Sequence, residues 1–310
     1  MPSRFVVASF LAGLLMSAPA ITSAAMPAPK VSKINERVYA ILGPVGLPSK
    51  NNNGYQVNST LILGDKGAIL VDTGATNEVG DLIAKTVAGI TPKPVTHVIN
   101  THHHGDHYLG NTAFKNAEII SAKKAQELVN QTGAEWIAMF ENMIGKKLPN
   151  TKAIAAKTTF PENTRTERVI DGVKLVFWVP KGSHTPGDLL VYLPDDKVLI
   201  GGDVLVNHVV PQMRDAHVKA WIGTLDEARK MDFKTVVPGH GPLMTKAEVN
   251  KMHATMAKFY QGVEAGYKKG LSDSEVRKTL DLTDWQKLEG TDSIGTAVNR
   301  TYLEVEAANF

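Results

Sequence analysis

The run Thr101-His102-His103-His104-Gly105-Asp106-His107 constrains this chain more than any other feature, because four imidazoles and a carboxylate fall within six positions. It follows directly on Val95-Thr96-His97-Val98-Ile99, which reads as a β-strand. His102 and His104, two apart, can point at one metal ion. Asp106 and His107 lie beyond a glycine that lets the backbone turn sharply, so they can face a second ion. An adventitious surface histidine cluster needs no further partners. Here three more segments each offer one metal-type residue just after a predicted strand: Ser183-His184-Thr185-Pro186-Gly187, Gly201-Gly202-Asp203 and Pro238-Gly239-His240-Gly241. Each sets its ligand beside glycine or proline, as a backbone held close to a buried ion requires.

The sequence contains no cysteine, so disulfides and thiolate ligands are excluded and any metal must be held by histidine and carboxylate. A formal charge of +3 over 310 residues, with no block of Lys or Arg able to track a phosphate backbone, argues for a small-molecule substrate and against nucleic acid. Residues 1–25 read as an export signal, since Arg4 precedes an apolar stretch at 5–16 and small residues continue through Ala25. That stretch is shorter than the ~20 residues of a spanning helix. The expected mature protein is therefore periplasmic or secreted, with no stable membrane insertion.

Two apolar runs, 59–63 and 68–71, flank Gly64-Asp65-Lys66-Gly67 and predict a β-hairpin ending at Asp72. Val79, Leu82, Ile83, Val87 and Ile90 recur at helical spacing, with Asn77 as the expected cap. Strands are expected at 38–42, 95–99, 118–120, 173–179, 189–193, 198–200 and 235–237, and helices at 122–130 and 135–143. This mixture predicts an α/β (α+β) chain whose sheets carry helices on their outer faces. Beyond residue 237 the pattern turns helical, at 248–268, at 272–279 with Ser272 and Glu275 as a capping box, and from Ala297 onward. The expected organisation is a signal at 1–25, a catalytic domain at 26–245 and a helical extension at 246–310.

The ordered set Val71-Asp72-Thr73-Gly74, His102-x-His104-x-Asp106-His107, His184, Asp203 and His240 resembles the metallo-β-lactamase superfamily. The resemblance covers nearly all of the mature chain up to Gly241 and implies an αββα sandwich with a metal site at one edge. It implies that His102, His104 and His184 hold one zinc, that Asp106, His107 and His240 hold the other, and that Asp203 bridges them. Asp72 matches the carboxylate that orients the site from behind. Two zincs would bring the pKa of a bound water down to about 7 and supply hydroxide without a protein nucleophile. Asp106 is then the candidate for orienting that water and moving its proton.

A bridging aspartate at position 203 resembles glyoxalase II-like and quinoprotein-associated members more than the lactamases, which usually carry Cys or Ser there. The expected activity is a zinc-dependent hydrolase acting on an ester-, thioester- or amide-type substrate. β-Lactam cleavage, a mononuclear iron persulfide dioxygenase using two histidines and one aspartate, and a non-catalytic zinc-binding protein are the alternatives. Zinc is thus the expected cofactor, two ions per chain, with iron possible. Among the remaining candidates, His103 should point away from the ligands, His97 should pack within its strand, and His208 and His217 should be loop residues. Trp136, Met139, Phe140 and Met143 form an apolar helical stripe that is either core-facing or a lid.

Overall fold

The computed structural model describes residues 26–309, so the expected export signal at 1–25 lies outside the described residues. Two sheets form the centre. The first runs in sequence order from β1 (Lys30–Lys33) through β2 (Val38–Leu42), β3 (Ser59–Leu63), β4 (Ala68–Val71), β5 (Val95–Ile99) and β6 (Glu118–Ala122) to β7 (Thr158–Phe160). Its pairings are antiparallel as far as β4 and parallel from there on. The second sheet holds β8 (Thr164–Ile170), β9 (Val173–Val179), β10 (Leu190–Leu193), β11 (Val198–Gly202) and β12 (Thr235–Pro238), in the order β12-β11-β10-β9-β8. Only its β11–β12 pairing is parallel.

Strand periodicity explains how the sheets stack. In β4, Ile69 and Val71 face inward and pack with Phe177, Val191 and Ile200 of the second sheet, whereas Ala68 and Leu70 face outward. Alternate side chains leave a strand on opposite faces, so a strand covered on both sides reads as an unbroken apolar run. The outer face of the first sheet is covered by α1 (Asn77–Ile90) through Val79, Ile83 and Val87. Between β5 and β6 lies the short α2 (Gly105–Tyr108), and between β6 and β7 the long α3 (Lys123–Ile144). The second sheet offers Trp178, Leu190, Leu199 and Val236 to α4 (Val218–Ala228), α5 (Lys246–Lys268), α6 (Asp273–Thr279) and α7 (Ile294–Ala307). The C-terminal helices share that one apolar cluster with the sheet. Among the described residues, no helix is long and apolar enough to cross a membrane.

Several local expectations need correction. The cap of α1 is Thr76, whose Oγ1 accepts from Val79 N at 3.1 Å; Asn77 instead donates its side-chain amide to Asp81. The two helices expected at 122–130 and 135–143 are one. Gly133 does not break it, because the glycine serves close packing: a Cβ there would lie 2.3 Å from Ala153 Cβ. The helix ends where Gly145 takes a left-handed φ of 75°. The strand expected at 198–200 continues through Gly202, and β1, β7 and β8 are additional; β1 and β8 are edge strands rich in charged or exposed positions.

Helix α4 occupies a stretch not read as helical beforehand, although Val218, Trp221, Leu225 and Ala228 recur at helical spacing on its buried face. Its start carries no local capping side chain. Glu304 of α7 supplies the cap from a distance, accepting from Val218 N at 2.6 Å and Lys219 N at 2.9 Å. Glu304→Ala is therefore expected to lower the unfolding free energy by about 1 kcal/mol, the usual worth of a helix cap. Chemical denaturation reads this directly, and Glu304→Gln, which keeps the acceptor oxygen, should lose less.

Candidate metal centre

Five chain crossings end at the same edge of the sandwich. Asp72 follows β4, the segment 102–107 follows β5, His184 lies between β9 and β10, Asp203 follows β11 and His240 follows β12. All seven residues expected to bind metal meet there. One ligand atom each from His102, His104, His184 and Asp203 lies within 4.8 Å of the others, and the same holds for Asp106, His107 and His240. Asp203 stands between the groups: its Oδ2 is 3.6 Å from His184 Nε2, and its Oδ1 is 3.3 Å from His107 Nε2 and 3.4 Å from His240 Nε2. A Cβ at Gly239 would fall 2.0 Å from Asp203 Oδ1, so only glycine lets the two loops approach this closely.

The outer nitrogen of every imidazole is engaged. His107 Nδ1 donates to Asp72 Oδ2 (2.8 Å), His184 Nδ1 to the Gln212 carbonyl (2.9 Å), His240 Nδ1 to the Gln56 carbonyl (3.2 Å) and His104 Nε2 to Asp215 Oδ2 (2.9 Å). Thr101 Oγ1 spends its proton on Asp72 Oδ2 (2.8 Å), so it accepts from His102 Nδ1 at 3.1 Å. Each outer nitrogen is thereby fixed as a donor and the other nitrogen is turned inward, able to offer a lone pair once any proton it carries gives way to a cation. His102 Nε2, His107 Nε2 and Asp203 Oδ1 are buried without a hydrogen-bond partner, and His104 Nδ1 faces His184 Nε2 at 3.1 Å. Buried acceptors facing one another are costly unless a cation lies among them. The donor set therefore fits a pair of divalent ions, with nitrogen and oxygen ligands only.

The charges fit as well. Burial, and then the neighbouring His107 and His104, hold His102 well below the ordinary imidazole range; burial and His104 bring His184 down to about 3. Around the second group the sign reverses. Burial opposes protonation of His107 and His240, yet Asp203 and Asp106 overcome it, raising His107 strongly and His240 to about 10. Burial likewise works against the charged forms of Asp106 and Asp203, but the adjacent imidazoles keep both ionised. The carboxylates in the protein alone are thus balanced by protons on two rings, a role that a bound cation would take over.

Other residues fall where the sequence gave less guidance. His103 joins neither group, but it is buried and stands with His104 and Asp215 in a third cluster whose donor atoms lie within 4.8 Å of one another; burial lowers it to about 3. His97 is part-buried beside Glu118, and His217 packs on Gly182. Trp136, Met139, Phe140 and Met143 all line a cavity of about 320 Å³ that opens onto His104, Asp106, Asp203 and His240. Sequence reasoning missed Gln56, Asp215 and Arg214, which carry no motif. Gln56 Nε2 donates to Asp106 Oδ2 at 2.9 Å, and Arg214 lies 4.9 Å over the Trp136 ring. Asp188, buried within the 183–188 turn, accepts from Thr185 N and Oγ1; burial pushes its carboxyl up to about 7 against those two bonds.

Comparison with known proteins places this geometry. An alkyl/aryl-sulfatase of Saccharomyces cerevisiae is 28% identical over 254 residues, covering 67% of this chain; the chain spans only 39% of that relative's length. Among solved structures, a metallo-beta-lactamase from Pontibacter korlensis matches with a TM-score of 0.59 and 22% identity, covering 74% of this chain and 99% of its own. A stereoselective inverting sec-alkylsulfatase from a Pseudomonas species matches with a TM-score of 0.69 and 19% identity, covering 88% of this chain and 50% of its own. The family model of the metallo-beta-lactamase superfamily matches residues 52–240, a span that contains all seven converging residues and Asp72. The chain belongs to the metallo-β-lactamase superfamily.

Proposed function

We propose that this protein is an exported hydrolase that holds two zinc ions and cleaves an ester-type bond with water. The observation carrying this reading is the inward set of imidazole lone pairs and carboxylate oxygens, arranged as two groups with Asp203 between them. A zinc pair held there would supply Lewis acidity toward the scissile group and an activated water. His102, His104 and His184 would hold one ion, Asp106, His107 and His240 the other, and Asp203 both.

The chain's own residues set what the cavity accepts. Leu47, Trp136, Met139 and Met143 give it an apolar wall, and Arg214, stacked on Trp136, places a guanidinium at its edge. An ester joining an anionic group to an apolar one suits that pairing. Asp106 is positioned at the reacting end, where Oδ2 lies 3.2 Å from His240 Nε2, to accept and return a proton. Sulfate esters are the favoured class, because the yeast relative is named an alkyl/aryl-sulfatase and the sulfatase structure has a counterpart for more of this chain than the lactamase does. Thioesters, lactones and β-lactams are the competing classes.

Chelator-treated protein is expected to be inactive and to regain turnover with zinc. A panel of alkyl sulfate, carboxylic ester, thioester, lactone, phosphodiester and chromogenic lactam then ranks the classes. Two bound zincs with no turnover on any of them, or recovery with ferrous iron and oxygen uptake, would overturn the proposal. Within that panel, His104→Ala or Asp106→Ala should cut turnover on the preferred substrate by roughly two orders of magnitude or more. Arg214→Ala should raise KM for the anionic ester about tenfold, with a clearly smaller loss on a neutral ester of the same apolar group that reports the lost Arg214–Asp215 contact; an equal loss on both esters would remove the anion-binding role.

A further inference from the structure

Gln56 lies in the segment between strands β2 and β3, and it carries none of the residue types that hold metal. Two of its groups nevertheless touch the second set of donors. The side-chain amide Nε2 donates to Asp106 Oδ2 at 2.9 Å, and the backbone carbonyl accepts from His240 Nδ1 at 3.2 Å. Asp106 and His240 come from distant parts of the chain, so one residue registers them against each other. The third donor of that set, His107, is fixed separately by Asp72. Among the described residues, no hydrogen bond joins Gln56 to His102, His104 or His184.

The surroundings hold Gln56 still. It is only 9% exposed. Two residues on, Asn58 N donates to the Gly239 carbonyl at 2.8 Å, while Asn58 Nδ2 donates to the carbonyls of Pro238 at 2.9 Å and Gly241 at 2.8 Å. Asn58 thus clamps the turn that carries His240 to the segment that carries Gln56. A carboxylate on a short side chain can rotate about its Cβ–Cγ bond, and a single fixed donor to one oxygen selects the orientation of both. Partners of this kind behind a ligand typically change metal affinity 10–100-fold when removed.

We propose that Gln56 is the positioning residue of the second cation subsite, setting its affinity through Asp106 without being a ligand. The inference rests on the two-zinc reading above. It makes the two subsites unequal in a testable way, because only one of them depends on the amide.

The test is competition for zinc between the purified protein and a chromophoric chelator, read as two successive equivalents. Gln56→Met keeps the length and the backbone carbonyl that serves His240 but removes the donor. In this variant the second equivalent should bind about tenfold or more weakly, with the first within about twofold of native. Gln56→Asn, whose amide is one carbon too short, should give the same split if Gln56→Met fails to fold. Asn58→Ala is the structural comparison: it should lower thermal stability without reproducing the split. Native affinity for both equivalents in Gln56→Met, equal weakening of both, or the same split in Asn58→Ala overturns the proposal while the two-zinc reading stands. A native chain that takes up one equivalent only overturns both.

Discussion

Everything at this site depends on a buried carboxylate behind it. Asp72 is 2% exposed and receives three hydrogen bonds, from Thr101 N, Thr101 Oγ1 and His107 Nδ1. An unpaired carboxylate so placed would cost several kcal/mol; three donors offset that and convert the cost into geometry. Through Thr101 the same aspartate fixes the tautomer of His102, and directly it fixes that of His107, so each cation group has one ligand set by Asp72. Its backbone takes a left-handed φ of 58°, unusual for aspartate, which turns the chain out of β4 at the point where the carboxylate must reach across to β5.

The segment from Asp203 to Asp215 does for the front of the site what Asp72 does for the back. It supplies Asp203 itself, the Gln212 carbonyl that holds His184, Asp215 that holds His104, and Arg214 at the cavity edge. Such a long irregular segment keeps its shape only if other parts of the chain grip it. Asn207 N donates to the His240 carbonyl at 3.0 Å, Val210 N to the Glu289 carbonyl at 2.8 Å, and Gln212 Nε2 to Ser293 Oγ at 3.0 Å. The last two partners belong to the C-terminal region. The segment between α6 and α7 therefore serves the site indirectly, by holding the loop whose backbone and side chains orient two imidazoles.

How much of this was legible depended on whether the determining contact was local. The seven converging residues were readable because each sits in a short signature of ligand plus glycine or proline, and the hairpin, α1, α5 and α6 followed from periodicity and capping patterns. Helix α4 was not, because its cap, Glu304, lies 86 residues away from Val218. The division of α3 into two helices failed for a related reason: Gly133, in the gap between them, is a close approach that only the packing of Ala153 reveals. Gln56, Arg214 and Asp215 share this property. Nothing in their own segments distinguishes them, and their roles arise from partners that the fold alone brings near.

The cavity next to the site shows why an apolar wall belongs beside so polar a centre. Trp136, Phe140 and Met139 crowd the side of the histidines away from the sheets, and His104 packs 4.9 Å from the Trp136 ring centroid. Apolar groups on that side lower the local dielectric and strengthen the fixed interactions beside them, Gln56 on Asp106 and Asp215 on His104. They also leave Arg214 as the charged group stacked against the wall, half exposed and paired with Asp215. Under the proposed function, a group drawn to Arg214 would act on the same carboxylate that holds His104. Arg214, Asp215 and His104 thus form one hydrogen-bonded chain, which the 203–215 segment and the turn after β5 bring together.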